Sequence, residues 1–318
     1  MMSFPLKSRT KRRPRSAVFR GVFSGVLILW GITIADRVES RDLVIGRVST
    51  EPQRAMARVE KLAGYLAKNT EDLGVTKGRA VIVSTDSEMI RLLRSGGVDL
   101  LSETVVAAFS YVDEAGAEVL LHEWRDHVPY YHALFIVRND SNIHQLSDLA
   151  GRRVAFERPG STSAYLVPFA LLRQIGLEPL PLSALNQKPP ADRPGYLFSG
   201  AEINTASWIA RGLVDAGSVS DIDWNHSDHI PDTIKKDLRI LTTSLPLIRS
   251  LLLARKGLDP ILKKRVVDVL TAADRDPSAT GMLHDYFDVD RYTRIEGETA
   301  DRLEDARMLV YTDGLRVR

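Results

Sequence analysis

The densest run of small hydrogen-bonding side chains in this sequence is Ser161-Thr162-Ser163, directly after Gly160 and ahead of an apolar-striped stretch that reads as a helix. Hydroxyls at a helix start satisfy free backbone N–H groups, and those N–H groups together with the helix dipole attract anions. The tripeptide fits two readings: a capped helix with solvated neighbours, or a cradle for an oxyanion. A serine nucleophile fits less well. Gly160 to Ala164 lacks the second glycine of the G-x-S-x-G elbow, and no histidine stands at an obvious strand end after Asp215. His122, His127 and His132 fall five apart and share no helix or strand face, so no metal site is expected. His226 and His229 lie in a polar, proline-flanked stretch that reads as a solvated loop. Trp124, Tyr130 and Tyr131 read as packing around a crossover between two halves of the chain. Neither catalysis nor a cofactor is expected.

Composition narrows the setting. The 318 residues suit two lobes, with an ordinary 44% apolar and 26% charged balance. The absence of cysteine excludes disulfides, thiolate metal sites and a cysteine nucleophile. The net charge of +2 is misleading, because residues 1–20 carry seven basic side chains and no acid. The remainder holds 36 basic against 41 acidic residues, which argues against a nucleic-acid partner. After the basic stretch, Gly21 to Ala35 is an uncharged run of 15 residues, the length of a signal-peptide core and short for a membrane span. Residues 1–35 therefore read as a signal peptide cleaved after Ala35, with an uncleaved anchor over Ala17–Ala35 as the alternative. Either way the bulk of the chain is expected outside the cytoplasm, in the periplasm.

The elements that position the hydroxyl cluster follow from periodicity. Strands are expected at Leu43–Val48, Ala80–Val83, Val98–Leu101, Val119–Trp124, Ala133–Val137, Arg153–Phe156, Tyr196–Phe198, Leu213–Gly217 and Arg239–Thr242. Helices are expected after Pro52, over Glu88–Arg94, Ile143–Leu149, Tyr165–Ile175 and Glu202–Arg211, with apolar-striped segments at Pro260–Ala272 and Met282–Phe287. The strand–turn–helix–strand layout occurs twice, pairing Val98-Asp99 with Val214-Asp215 and Ser49-Thr50 with Ser161-Thr162. This predicts an α/β fold of two lobes, each a mixed sheet flanked by helices: 36–130 with 240–318, and 131–239. The crossings fall near Pro129–Ala133 and Leu238–Thr243, with a ligand cleft between the lobes.

Phe156 to Pro168, with Ser161-Thr162-Ser163 at its centre, resembles the signature of the phosphonate/phosphite/phosphate-binding proteins of ABC importers. Asp148-Leu149-Ala150-Gly151-Arg152-Arg153-Val154-Ala155-Phe156, Gly97-Val98-Asp99-Leu100 and Gly212-Leu213-Val214-Asp215-Ala216-Gly217 are similar to further runs of that family, and the likeness covers most of residues 42–290. The resemblance implies a type II periplasmic binding fold, a small phosphorus oxyanion as ligand, membrane permease subunits as partners, and a monomer. A membrane-tethered ligand-sensing module of the same fold is the alternative. It further implies that Ser161, Thr162 and Ser163 bind the oxyanion without an arginine, and that Asp215 and Glu202 face the rest of the ligand. Where the family carries a tyrosine-bearing segment, this chain has Ser102-Glu103-Thr104, whose hydroxyls would donate from a second helix start; Ser49 and Thr50 are the first-lobe counterparts of the cluster. Acids at Glu103, Glu202 and Asp215 would suit a ligand with a cationic end.

Overall fold

A computed structural model describes residues 40–49 and 51–311; the expected export segment and Thr50 lie outside the described residues. The apolar run after Arg41 forms β1 (Arg41–Val48), and Pro52 opens α1 (Pro52–Lys68), where a missing N–H costs nothing. Next come β2 (Val75–Val83), α2 (Asp86–Ser95), β3 (Leu100–Glu103), α3 (Val105–Ala115) and β4 (Glu118–Arg125). After β5 (Tyr130–Tyr131) the chain continues through β6 (Ala133–Arg138), β7 (Arg153–Phe156), α4 (Val167–Gln174), β8 (Leu180–Pro181) and β9 (Gly195–Phe198). There follow α5 (Glu202–Ala210), β10 (Ala216–Ser220), α6 (Asp221–Asn225), α7 (Asp232–Lys235) and β11 (Leu238–Thr243). The last stretch holds β12 (Leu247–Ile248), β13 (Leu251–Ala254), α8 (Pro260–Ala272), α9 (Thr280–Asp285), β14 (Val289–Thr293) and α10 (Glu298–Tyr311).

Two six-stranded sheets organise the lobes, in the orders β14-β4-β13-β3-β1-β2 and β11-β6-β10-β7-β9-β8. In each, a parallel trio (β3-β1-β2, β10-β7-β9) meets an antiparallel neighbour, β13 in one and β6 in the other. Between them a two-stranded ribbon pairs β5 with β12. β11 pairs with β6 inside the second sheet, so the second crossing lies at β12 and the expected lobe boundary at residue 240 falls within a strand of the second lobe. The run Leu251–Ala254, which periodicity leaves unclassified, is a fully buried central strand. Apolar packing also crosses the interlobe boundary: Leu166 and Val167 of the second lobe share a core cluster with Val105, Val106 and Leu253 of the first. α10 packs on α3, β12 and α4 alike.

The strands expected at Val98–Leu101 and Leu213–Gly217 begin two and three residues later, at Leu100 and Ala216. The reason is the aspartate in front of each. Asp99 N–H donates to Val44 O at 2.8 Å while its Oδ2 accepts from Val44 N at 2.9 Å. Asp215 repeats the bond pair on Arg153, with 2.9 Å to the carbonyl and 2.8 Å from the N–H. Each aspartate thus clasps the neighbouring parallel strand at its entry end. Arg255 pairs with Asp99 at 2.9 Å, and Arg152 and Arg153 stand 3.8 and 3.7 Å from Asp215. The sequence-based expectation that Asp215 faces the ligand is therefore corrected: it sits at the end of β10 away from Ser220, and its carboxylate is occupied by the backbone.

A hydrogen bond to a charged acceptor contributes about 1.5–3 kcal/mol. Asp215→Ala is expected to lower unfolding stability by about 1–3 kcal/mol in denaturant titration, while oxyanion affinity by calorimetry stays within about twofold of wild type. A large affinity loss with unchanged stability would return Asp215 to the cleft.

Candidate functional site

The hydroxyl cluster owes its geometry to a proline. Pro168 has no N–H to give the Ala164 carbonyl four residues back, and that carbonyl accepts instead from Glu157 N at 3.1 Å. The helix consequently starts in a wide turn over Thr162–Leu166, with Leu166 N bonded to Ser161 O at 2.8 Å and Val167 N to Thr162 O. Gly160, at φ 82°, supplies the left-handed step into this turn. Ser161 is the cap: its Oγ accepts from Ala164 N at 3.2 Å. The N–H groups of Thr162 and Ser163 lie in the first turn, where no helix carbonyl can accept them.

Around this turn lies a cavity of about 140 Å³ lined by Thr104, Tyr131, Glu157, Arg158, Ser161, Thr162, Ser163, Glu202, Ser220, Ile222, Asp223 and Arg249. It takes residues from both lobes and from both crossovers. Thr162 Oγ1 donates to Thr104 Oγ1 at 2.9 Å, a direct bridge between the helix starts of α4 and α3. Burial pushes the Tyr131 phenol up to about 12, against the opposing pull of Arg249 and the Ser163 hydroxyl.

Glu202 reaches the cavity because α5 rides close on β10. A Cβ on Gly217 would stand 2.7 Å from Ala155 O and 2.6 Å from Thr205 Cγ2, so only glycine allows the approach. Glu202 Oε2 accepts from Ser220 N at 2.8 Å and from Ser220 Oγ at 3.0 Å. Burial holds its carboxyl well above the usual carboxylate range, and the nearby charges of Asp223 and Glu157 add to the effect. Other charges on the lining are paired: Arg158 with Glu157 at 3.4 Å and His229 with Asp223 at 2.9 Å. Arg249 makes no ion pair or side-chain hydrogen bond among the described residues, and its Nε is buried without a partner.

The structure gathers Ser161, Thr162, Ser163, Glu202 and Thr104 and separates the other described ones, Ser49, Ser102, Glu103 and Asp215, from them. Ser102 is buried in the first lobe, donating to Glu123 Oε2 at 2.6 Å and accepting from Tyr286 at 2.9 Å. There the burial of Glu123 works to raise its carboxyl, but Arg125 and Ser102 outweigh it and hold it below the usual range. Glu103 turns its Oε1 to the next residue, accepting from Thr104 N at 2.8 Å, and so serves the start of α3. Ser49 accepts from Glu51 N at 3.0 Å, a local turn at the entry to α1, and is not on the cavity wall. With Glu103 and Asp215 both engaged elsewhere, the expected set of three acids around a cationic ligand end reduces to Glu202, joined by Glu157 and Asp223. The expectation of an arginine-free site is overturned by Arg158 and Arg249 on the wall. Tyr131, expected only as crossover packing, lines the cavity as well. Ser220 carried a legible signal: Ser220 to Asp223 is a serine cap followed three residues on by an acid, and Ser220 Oγ accepts from Asp223 N at 3.0 Å. Among the described residues no group of three His, Asp or Glu side chains is arranged to hold a metal ion.

The chain is similar to known proteins in sequence and in fold. A family model described as ABC transporter, phosphonate, periplasmic substrate-binding protein matches residues 45–299. The protein XAC2383 from Xanthomonas citri, solved bound to chloride ion, is 32% identical with a TM-score of 0.80 over 85% of this chain and 98% of that one. The same protein solved bound to ATP is 31% identical, with a TM-score of 0.81 over 86% and 98%. PhnD1 from Prochlorococcus marinus, in complex with methylphosphonate, shares the fold at 18% identity, with a TM-score of 0.61 over 86% and 98%. The phosphate-import protein PhnD of Mycolicibacterium smegmatis is 34% identical over 94 residues, 29% of this chain and only 28% of that protein's length.

A carboxyl raised by folding binds protons more tightly in the native state, so its contribution to stability falls as pH rises above the unfolded value near 4.5. Glu202→Gln keeps an acceptor for Ser220 and removes the ionisation. Melting curves between about pH 5 and pH 8 should show the wild type losing stability relative to the variant as pH rises. Parallel curves would mean that Glu202 ionises in the fold as it does in water.

Proposed function

The chain belongs to the periplasmic phosphonate-binding family of ABC-transporter substrate-binding proteins, and from that premise we propose that its cavity holds a small phosphorus oxyanion: phosphate, phosphite or a short alkylphosphonate. The observation that carries this reading is the wide helix start at Thr162–Leu166, whose first-turn N–H groups and hydroxyls face a cavity closed by the opposite lobe. Neutral donors at a helix terminus hold an oxyanion's charge without needing a counter-ion on every oxygen. At about 140 Å³ the cavity is well below the ~300–1,000 Å³ typical for drug-sized ligands, which supports an ion with little or no organic tail over a nucleotide. Glu202, held toward its protonated form, has Oε1 without a partner among the described hydrogen bonds and suits a ligand oxygen.

In this reading the protein works in the periplasm as a monomer, carries the oxyanion to membrane permease subunits and performs no chemistry. Thr104, Tyr131 and Ser220 join Ser161, Thr162, Ser163 and Glu202 as ligand-facing residues. The Thr162–Thr104 bridge joins the lobes at the point where the ligand sits, so occupancy and lobe closure support one another.

Capping and anion binding draw on different halves of a hydroxyl: as the cap Ser161 Oγ accepts from Ala164 N and its O–H is left to donate, so stability and affinity are read separately. Ser161→Ala should cost about 1 kcal/mol of stability through the lost cap. Replacing Thr162 and Ser163 together by alanine should weaken binding of phosphate, phosphite and methylphosphonate by roughly ten- to a hundredfold, since it removes the Thr162–Thr104 bridge and a charge-assisted bond from Ser163 that contributes about 1.5–3 kcal/mol. Calorimetric titration reads both affinities. If any of these anions binds wild type and the double variant binds it equally well, the hydroxyls are caps and the proposal fails.

A further inference from the structure

We propose that Arg249 sets the charge requirement of the cleft: its guanidinium, carried on the second crossover, pairs with the bound anion and selects dianionic phosphorus oxyanions over monoanionic sulfonates. The inference rests on the reading of the cavity as an oxyanion site and adds to it the residue that distinguishes one anion class from another.

Four observations carry it. First, the charges on the cavity wall are unevenly matched: Arg158 is committed to Glu157 and Asp223 to His229, while Arg249 has no acidic partner among the described residues. The Nε of Arg249 is buried without a partner while the residue as a whole is half-buried, and a partly covered guanidinium gains from an anion that joins it. Second, the arginine is held in place. Its backbone N–H donates to Pro129 O at 2.9 Å, next to the β5–β12 ribbon, and its guanidinium carbon lies 5.3 Å from the centroid of the Tyr131 ring. A guanidinium fixed against an aromatic face presents its donors in one plane, the arrangement that meets two oxygens of one oxyanion.

Third, burial and the nearby charge of Arg125 disfavour the charged form of Arg249 and outweigh the opposing pull of Tyr131, Asp126 and Asp223, so the fold leaves this cation undercompensated at the cavity. Fourth, neutral donors such as Thr162 and Ser163 serve phosphorus and sulfur oxyanions alike, because both present tetrahedral oxygens. A free cation inside a low-dielectric cavity is the element that weighs two charges against one. Tyr131 and Arg249 also stand one on each crossover, so the pairing acts on the segments that connect the lobes.

The test is calorimetric titration at about pH 9, where methylphosphonate, whose second ionisation lies above the value near 6 of a phosphate monoester, is dianionic; methanesulfonate is the monoanionic probe. It is run on wild type, Arg249→Lys and Arg249→Gln. Wild type should prefer methylphosphonate by at least about tenfold. Arg249→Gln should lose roughly ten- to a hundredfold in methylphosphonate affinity and much less for methanesulfonate, collapsing the ratio. Arg249→Lys keeps the charge without the fork and should recover part of the ratio. Without ligand, Arg249→Gln should melt no lower than wild type, since it removes a partly covered charge that has no partner. An unchanged ratio in Arg249→Gln overturns the inference. So does an equal loss for both probes together with a lower melting temperature, which would make Arg249 a packing residue. If neither probe nor phosphate nor phosphite binds wild type, the oxyanion reading itself falls, and this inference with it.

Discussion

The aspartate clasp at the entry of each parallel strand pair is the constraint on which the geometry depends. Asp99 locks the start of β3 against Val44 of β1, and Asp215 locks the start of β10 against Arg153 of β7, through the same two bonds at nearly the same lengths. A parallel pair has no hairpin to set its register, so a side chain that reads one backbone N–H on the neighbouring strand is an economical way to fix it. With the entry ends pinned, the exit ends of β3 and β10 are placed as well. Those exits carry Thr104 and Ser220, which begin α3 and α6 and line the cavity. The repeat is therefore one device used twice: an acid clamps the back of each lobe so that a hydroxyl arrives at the front.

The hydroxyl turn depends on a second local rule. Pro168 removes one helix donor, Glu157 takes the freed Ala164 carbonyl, and the widened turn spreads the chain from Ser161 to Leu166 along the cavity. Ser161 accepts a hydrogen bond as the cap and keeps its own O–H to give, and it lines the cavity together with Ser163 and the first turn at Thr162. Thr162 then meets Thr104 across it. Each step in this chain is a hydrogen-bond account settled locally, and the outcome is a set of donors converging on a small volume.

Closure is held by apolar as well as polar contacts. Leu166 and Val167, immediately after the hydroxyl turn, are buried against Val105, Val106 and Leu253. Burying a side chain of this size contributes about 1.5–3 kcal/mol, so the contact beside the hydroxyl turn holds the two lobes together in its own right. α10, lying on α3, β12 and α4, ties both lobes and the ribbon together at the far end of the chain. Charge is handled differently in the two lobes: the first buries its acid–base pair, Glu123 with Arg125, behind Ser102, whereas the cavity keeps Arg249 free.

The sequence by itself determined the class of the molecule. Alternating apolar strands and striped helices gave two α/β halves, the doubled valine–aspartate motif gave their equivalence, and Ser161-Thr162-Ser163 marked a helix start that lies on the cavity wall. These features are local: periodicity, capping and proline chemistry act over a few residues and leave a readable trace. The rest was decided by the tertiary structure. Whether Asp215 and Glu103 point at a ligand or at a backbone N–H depends on which strand or helix start lies alongside, and a sequence motif looks the same in both cases. Ser102 became a buried relay between Glu123 and Tyr286 because residues 21 and 184 positions away fold onto it. Arg249 and Tyr131, 118 positions apart, meet only because β12 pairs with β5 between the lobes. The crossover brings to the cavity wall a cation with no ion-pair partner among the described residues, and no spacing rule along the chain encodes a contact made by the pairing of two distant two-residue strands.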